Sequence, residues 1–498
     1  MNNSTISTRL LLSTLHDDLA ELSAIVEPLV ENILHLVLTF LSQPIDAQAA
    51  YKLEKDLQDA ARQTNRKTVQ WTYNQIESDD PRSVSPRIHV DRQEYRRKPK
   101  SANRHLGTLF GVITLHRFLY EPLEPGEKSI FPLEITLGVA ARNATAALAE
   151  RVGELATRLT QGELLEVLHS DFDVGWSVGT LRNVTAAVSE GMLPYLHEAQ
   201  VKQTLMWLHQ AEASRGRHKI VLAAGRDGIF LPIRDEKSYK EGAVATLSVY
   251  DRCGKRLGTV YLGHMPEPHQ GTLSARLTRL IEDVLSRWQG AWPRLAYVTD
   301  AGHHPTEYYR EVLRKMVDPR RPRRCLDWIW IVDFYHASEY VGKLAEVLFD
   351  DARPRQAWAR KMCKWMKHKP NGLFRVLHSA AKFHSEKRLS KKDEDQYRKA
   401  YGYLRNHKQW MDYSEYRRCG LPIGSGVTEA ACKTVFTQRF KESGMSWKGE
   451  SGQIILDLRV IRLSGLWTKV HHAYLKCLPH IPYATKSDLH EITEQNAA

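Results

Sequence analysis

Apolar residues recur at helical spacing near the N-terminus, in Leu22, Ile25, Val26, Leu29, Ile33, Leu34, Val37, Leu38 and Leu41. That stripe predicts a helix, and a second is expected over about 47–75. Residues 105–121 then alternate, with Leu106, Thr108, Phe110, Val112, Thr114, Arg117 and Leu119 punctuated by Gly107 and Gly111. This predicts a β-hairpin. The helical period returns from Leu133 to about Gln210. Within it, a short amphipathic helix over 162–169, a turn over 170–175 and a helix over 177–188 follow the helix-turn-helix plan, whose second helix enters the major groove.

After the basic connector Arg215-Gly216-Arg217-His218-Lys219 the pattern changes again. Residues 220–224 read as a buried strand, and 244–250 with 256–262 as a hairpin about the turn Asp251-Arg252-Cys253-Gly254-Lys255. An amphipathic helix over 273–288, a strand over 295–299, a helix over 308–316 and a strand over 328–332 follow. The order β, β, β, α, β, α, β is that of an RNase H-like core: three antiparallel strands, then alternating helices and parallel strands. Residues 337–415 read as a helical insertion. The expected fold class is therefore an α/β RNase H-like catalytic core with a helical insertion, plus a mainly α-helical N-terminal DNA-binding region. Its expected parts are a helical region for dimerisation or DNA binding (1–78), a basic linker (79–104), a hairpin and helix-turn-helix-like region (105–215), the first part of the core (216–336), the insertion (337–415), the final part of the core (416–476) and a tail (477–498).

Charge adds a partner. The 498 residues carry a net charge of +13, which suggests a polyanion, most often nucleic acid. Candidate phosphate contacts are Arg96, Arg97, Lys98 and Lys100 in the linker, Arg182 on the second helix of the pair, Lys361 and Lys364 with Trp365 in the insertion, and Lys433, Arg439 and Lys441 after it. Basic residues interleaved with Trp358, Trp365 and Trp410 suit distorted or single-stranded DNA. The competing reading is a packed helical subdomain with a solvated basic face. The six cysteines include no CxxC pair, which argues against a zinc ribbon and a disulfide framework. The apolar run 19–41 is broken by Glu21, Glu27, Glu31 and His35. It reads as an amphipathic helix, so no membrane partner and a cytoplasmic location are expected.

The candidate chemistry is acidic. Pro422-Ile423-Gly424-Ser425-Gly426 forms a turn, and Glu429 follows in the first turn of a helix. Alone, such a Glu complements the helix dipole. Asp227, in Gly225-Arg226-Asp227-Gly228, lies just past the first strand, and Asp300 ends the fourth. In an RNase H-like sheet these strand ends are neighbours. Carboxylates there make a hard oxygen site for Mg²⁺, with Mn²⁺ as the alternative, and a third from a late helix completes a two-metal site. Three packed carboxylates repel one another unless a cation is bound. Asp333 and His336 follow the fifth strand; His336 could contact a phosphate or tune a carboxylate, or else Asp333 caps the helix and His336 is structural. The pairs His303-His304 and His471-His472 lack a spaced third ligand, so no zinc is expected.

Asp227-Gly228, Thr299-Asp300, the Asp333 and His336 pair, and especially Pro422-Ile-Gly-Ser-Gly-Val-Thr-Glu429-Ala-Ala-Cys-Lys433 resemble the ISKra4 family of bacterial insertion-sequence transposases. The runs 439–447, 457–459 and 464–467 continue the likeness, which covers about residues 105–470. The resemblance implies a DDE transposase with an RNase H-like fold and an insertion before the Glu, similar in plan to Mutator-like and hAT-type enzymes. It implies Asp227, Asp300 and Glu429 as metal-binding catalytic residues, and His336 beside them. It further implies binding to terminal inverted repeats, cleavage at the element ends, joining of the 3′-hydroxyls to target DNA, a homodimer or larger assembly, and action at the bacterial nucleoid. Lys433 would face the DNA phosphate or pair with Glu429. One departure is plain: residues 100–135, where related sequences often carry a cysteine zinc ribbon, contain no cysteine. The rivals are a transposase-derived, non-catalytic DNA-binding protein and a different RNase H-like nuclease.

Overall fold

The computed structural model describes residues 16–77, 84–90, 92–124, 126–234, 238–442, 444–479 and 481. The expected tail lies almost wholly outside them. The chain forms two compact units, residues 1–191 with 472–498, and residues 192–471. The first part of the core (216–336), the insertion (337–415) and the final part up to residue 471 fall within the second unit.

In the first unit, helices His16–Leu41 and Ala47–Ile76 run out and back. The second packs on a three-stranded antiparallel sheet in the order β1 (Arg87–Val90), β2 (Gln93–Thr108), β3 (Gly111–Pro122). Strand β3 is an edge, and the helix covers it. Gln70 accepts the Thr114 N–H at 2.8 Å, Asn74 accepts the His116 N–H at 2.9 Å, and Glu77 accepts the Phe118 N–H at 2.9 Å. Side chains one helical turn apart thus satisfy every second residue of an edge that would otherwise attract another chain.

The basic linker expected over 79–104 is a strand across most of its described length. Tyr95 is buried, and the Arg97 guanidinium lies 4.9 Å from the Phe118 ring centre and donates to the Val84 carbonyl. These contacts hold the stretch against β3, so its polar sequence marks a half-solvated strand. The hairpin is accordingly longer than expected. The first helix, His16–Leu41, leaves Val30, Leu34, Leu38 and Leu41 exposed. Its segment Ala20–Leu41 is long and apolar enough to cross a membrane, whereas the sequence reading took its acidic residues to exclude a span. Helix Gln161–Phe172 ends at left-handed Asp173, and the helix after the turn runs from Val178 to Ala213, 36 residues and far longer than expected.

The second unit holds a five-stranded mixed sheet in the order β10-β7-β4-β5-β6. Its strands are β4 (Val221–Leu231), β5 (Lys240–Tyr250), β6 (Arg256–His264), β7 (Arg294–Thr299) and β10 (Trp328–Val332); β8 (Val317–Asp318) and β9 (Arg321–Cys325) form a small separate ribbon. Strands β4, β5 and β6 are antiparallel, while β7 pairs parallel with both β4 and β10. The period-2 alternation divides β4, β7 and β10 between two cores. Leu222, Ala224, Leu295 and Tyr297 face helix Gly271–Arg287 and its Leu277, Ile281 and Val284. Val221, Ala223, Ala296 and Val298 face the helices between Phe334 and Arg418. The insertion is therefore the cover of one sheet face, which explains its apolar content.

Candidate active site

The parallel register places two carboxylates level. The last paired row of β4 and β7 is Gly225 opposite Val298, and Asp227 and Asp300 each stand two residues beyond it. Strand β4 continues to Leu231 against β5 alone, so Asp227 is inside a strand rather than just past one. Asp227 accepts the Gly228 N–H at 2.8 Å and the Cys432 thiol at 3.3 Å. Asp300 accepts the Gly302 N–H at 2.8 Å, and its carbonyl accepts the Tyr403 hydroxyl at 2.8 Å. Ala301 between them has φ +65°, a left-handed conformation that costs a residue with a Cβ on the order of 1 kcal/mol.

Glu429 arrives from far along the chain. Helix Gly426–Ala431 carries it, and Thr428 anchors that helix to the sheet through a 2.8 Å hydrogen bond with Thr246. The approach needs a glycine below it, since a Cβ on Gly225 would lie 2.1 Å from the Thr428 hydroxyl. The loop before the helix is pinned by Asp333, which is fully buried. One Asp333 oxygen caps helix Phe334–Leu348 by accepting the His336 N–H at 2.6 Å, and the other accepts the Ser425 N–H. Ile423 accepts the Phe334 N–H at 2.9 Å. Ser425 in turn donates its hydroxyl to the Glu429 carboxylate at 2.7 Å. Asp333 is thus the positioning residue, and capping is its role.

Beyond Glu429 the helix opens into a π-turn over Cys432–Thr437, a form enriched at functional sites. The wider turn exposes carbonyls, and buried Arg459 donates to those of Thr434 and Val435, each at 2.9 Å. Burial lowers the Arg459 pKa to about 10. The π-turn also sets Cys432 against Asp227.

Asp300 and Glu429 are near enough to Asp227 for their charges to act on its carboxyl. Burial pushes the Asp227 carboxyl up to about 6, and the charges of Asp300 and Glu429 add to the rise. Burial raises the Cys432 thiol, with the same three carboxylates contributing. Glu429 is exposed while Asp227 and Asp300 are half-buried, so the cluster opens to solvent on the Glu429 side. An all-oxygen donor set with a carboxyl raised chiefly by burial, and further by its like-charged neighbours, fits a hard divalent cation such as Mg²⁺ or Mn²⁺. The His336 ring sits 5.7 Å from that of Tyr403, the residue bonded to the Asp300 carbonyl.

The expected DNA contacts divide. Arg96, Lys100, Lys361, Lys364, Lys433 and Lys441 are exposed, and Lys98 is ion-paired with Glu121 at 2.7 Å. Arg182 is exposed and bonded to Gln161 at 3.1 Å. Arg439 is not available for phosphate: it is 2 % exposed, packed over the Trp447 ring. Arg97 is held by Phe118 and Val84 as described. Trp358 is buried with its N–H on Ser379, and Trp410 packs on Trp330, so neither is a free stacking platform. Trp365 is half-buried with the Lys361 ammonium 4.9 Å from its ring centre.

Sequence reasoning did not assign Cys432, Thr428, Tyr403 or Arg459. Cys432 stands three residues after Glu429, one turn on and on the same face, which is the signal that was readable. In comparisons with protein-family models and with curated proteins, nothing matches the chain.

Proposed function

We propose that this chain is a DDE-type DNA transposase with an RNase H-like catalytic core, and that Asp227, Asp300 and Glu429 form its catalytic centre. The convergence of these three carboxylates carries the reading. The sheet order, with three antiparallel strands and two parallel ones beyond β4, supports it, as does the helical segment inserted between β10 and Glu429.

A bound pair of divalent ions would activate the attacking oxygen and stabilise the leaving oxygen of an in-line displacement. The residues themselves do the positioning. Asp227 and Asp300 are fixed by strand register and by their own turn hydrogen bonds. Glu429 is aimed by the Asp333–Ser425 clamp and the Thr428–Thr246 contact. Exposed Lys433 stands one turn beyond Glu429, on the open side where a phosphodiester would approach. Exposed lysines of the insertion and of β2 would hold flanking DNA through phosphate contacts. Bringing two element ends together requires more than one copy of the chain, and the apolar residues exposed on helix His16–Leu41 offer a self-complementary face for it. The proposed place of action is the bacterial cytoplasm, on the nucleoid.

The test is cleavage and joining of DNA carrying both element ends, with Mg²⁺ and a target plasmid. Asp227→Ala and Glu429→Ala should each lower cleavage at least about a hundredfold, roughly 2.7 kcal/mol of barrier, while leaving end binding within a few-fold. Equal cleavage by all three proteins would sink the assignment. Specific binding without cleavage under either Mg²⁺ or Mn²⁺ would make the chain a DNA-binding protein of non-catalytic function.

A further inference from the structure

A second cluster of donors lies on the helix that starts directly after the Asp300 turn. Helix His303–Glu311 carries His303, His304 and Glu307, each offering a ligand atom within 4.8 Å of the others. The sequence reading dismissed the His303-His304 pair because no spaced third ligand was visible; the helix supplies it at Glu307, three residues from His304 and four from His303.

The surroundings of His304 are those of a ligand. Its Nδ1 is buried and, among the described residues, has no hydrogen-bond partner, and lies 3.8 Å from the Glu307 carboxylate. That separation is too long for a hydrogen bond. It is within a few tenths of an ångström of the roughly 3.4 Å expected between nitrogen and oxygen atoms sharing one tetrahedral zinc ion at about 2.0–2.1 Å. The other ring nitrogen, Nε2, faces Glu241 of β5 at 3.7 Å. A metal-bound histidine characteristically presents its second nitrogen to a carboxylate, which fixes tautomer and ring orientation. Glu241 and His304 together line a cavity of about 380 Å³ with Lys240, Glu267 and Gln270, while His303 and Glu307 are exposed, so a solvent water can take the fourth position.

We propose that His303, His304 and Glu307 bind a transition-metal ion of the zinc class, with Glu241 orienting His304 and water in the fourth position. The mixed nitrogen and oxygen set distinguishes this site from the all-oxygen carboxylate cluster, because imidazole favours zinc over magnesium. Bound there, the ion clamps the first turn of the helix that follows left-handed Ala301, and so steadies the turn holding Asp300. The Glu241 carboxylate also packs against Gly228, beside Asp227, so tightly that a Cβ on Gly228 would overlap it.

The test is calorimetric titration of metal-stripped full-length protein with Zn²⁺ alone, in excess Mg²⁺. The wild type should take up one tightly bound ion that is lost or weakened at least about tenfold in His304→Ala and in Glu307→Gln. Glu241→Gln should weaken it by about 10- to 100-fold, the usual cost of removing an orienting carboxylate. Asp227→Asn should leave it within about twofold, which separates this site from the carboxylate cluster. Matching far-ultraviolet circular dichroism guards against misfolded variants, and Glu307→Gln serves where His304→Ala fails to fold. Zinc uptake unchanged in both His304→Ala and Glu307→Gln, or no uptake by wild type up to about 100 µM, overturns the proposal.

Discussion

Glu77 shows how one buried carboxyl couples fold to pH. It is 2 % exposed, and one oxygen accepts the Phe118 N–H while the other has no partner among the described residues. Burial holds its pKa up at about 7 against an ordinary 4.5. Between those values the folded chain binds more protons than the unfolded one, so stability is highest at the acid end of the window and falls as pH rises from about 4.5 through about 7. Glu77→Gln keeps the acceptor and removes the titration. Chemical denaturation should show the variant gaining up to about 3 kcal/mol over wild type at pH 8, and much less at pH 5; identical pH slopes for the two proteins would rule this out. At this scale the sequence was legible for the strand that Asp300 follows and for the one that carries Asp227, although Asp227 stands inside its strand rather than just past it. At Asp333 the helix cap was legible, but its bond to the Ser425 N–H was not, because only the folded chain brings that loop near. Arg439 reads as a basic surface residue until Trp447 covers it.

Elements were readable by period and misread where composition masked the period. The α/β strands stood out because both faces are buried and the apolar runs are continuous. Strand β2 did not, because its exposed face is basic and Pro99 falls where the register with β3 shifts between Arg97 and Ser101, a position that tolerates proline. The helix carrying Glu429 was expected, but its π-turn was not, since nothing local encodes a turn held open by Arg459. How closely that helix approaches the sheet is set by Gly225. Gly225→Ala should push Thr428 away, cost roughly 1–3 kcal/mol of stability, and lower DNA cleavage at least about tenfold without unfolding the protein. Denaturation and cleavage measured on the same preparation check this, and wild-type cleavage by the variant would show that the close approach is dispensable.

Across the whole molecule, the second unit gathers the site from three distant positions, and the insertion between them serves as sheet cover and as the source of Tyr403. The insertion completes a core begun by β4, β7 and β10. The central claim is that Asp227, Asp300 and Glu429 act as one cation site, distinct from the histidine cluster next to it. Electron paramagnetic resonance of Mn²⁺ measures this directly, since free Mn²⁺ gives a signal that binding removes. Asp227→Asn, Asp300→Asn and Glu429→Gln should each weaken the same Mn²⁺ uptake at least about tenfold, while His304→Ala leaves it unchanged. Uptake by all three carboxylate variants that matches the wild type would contradict the claim.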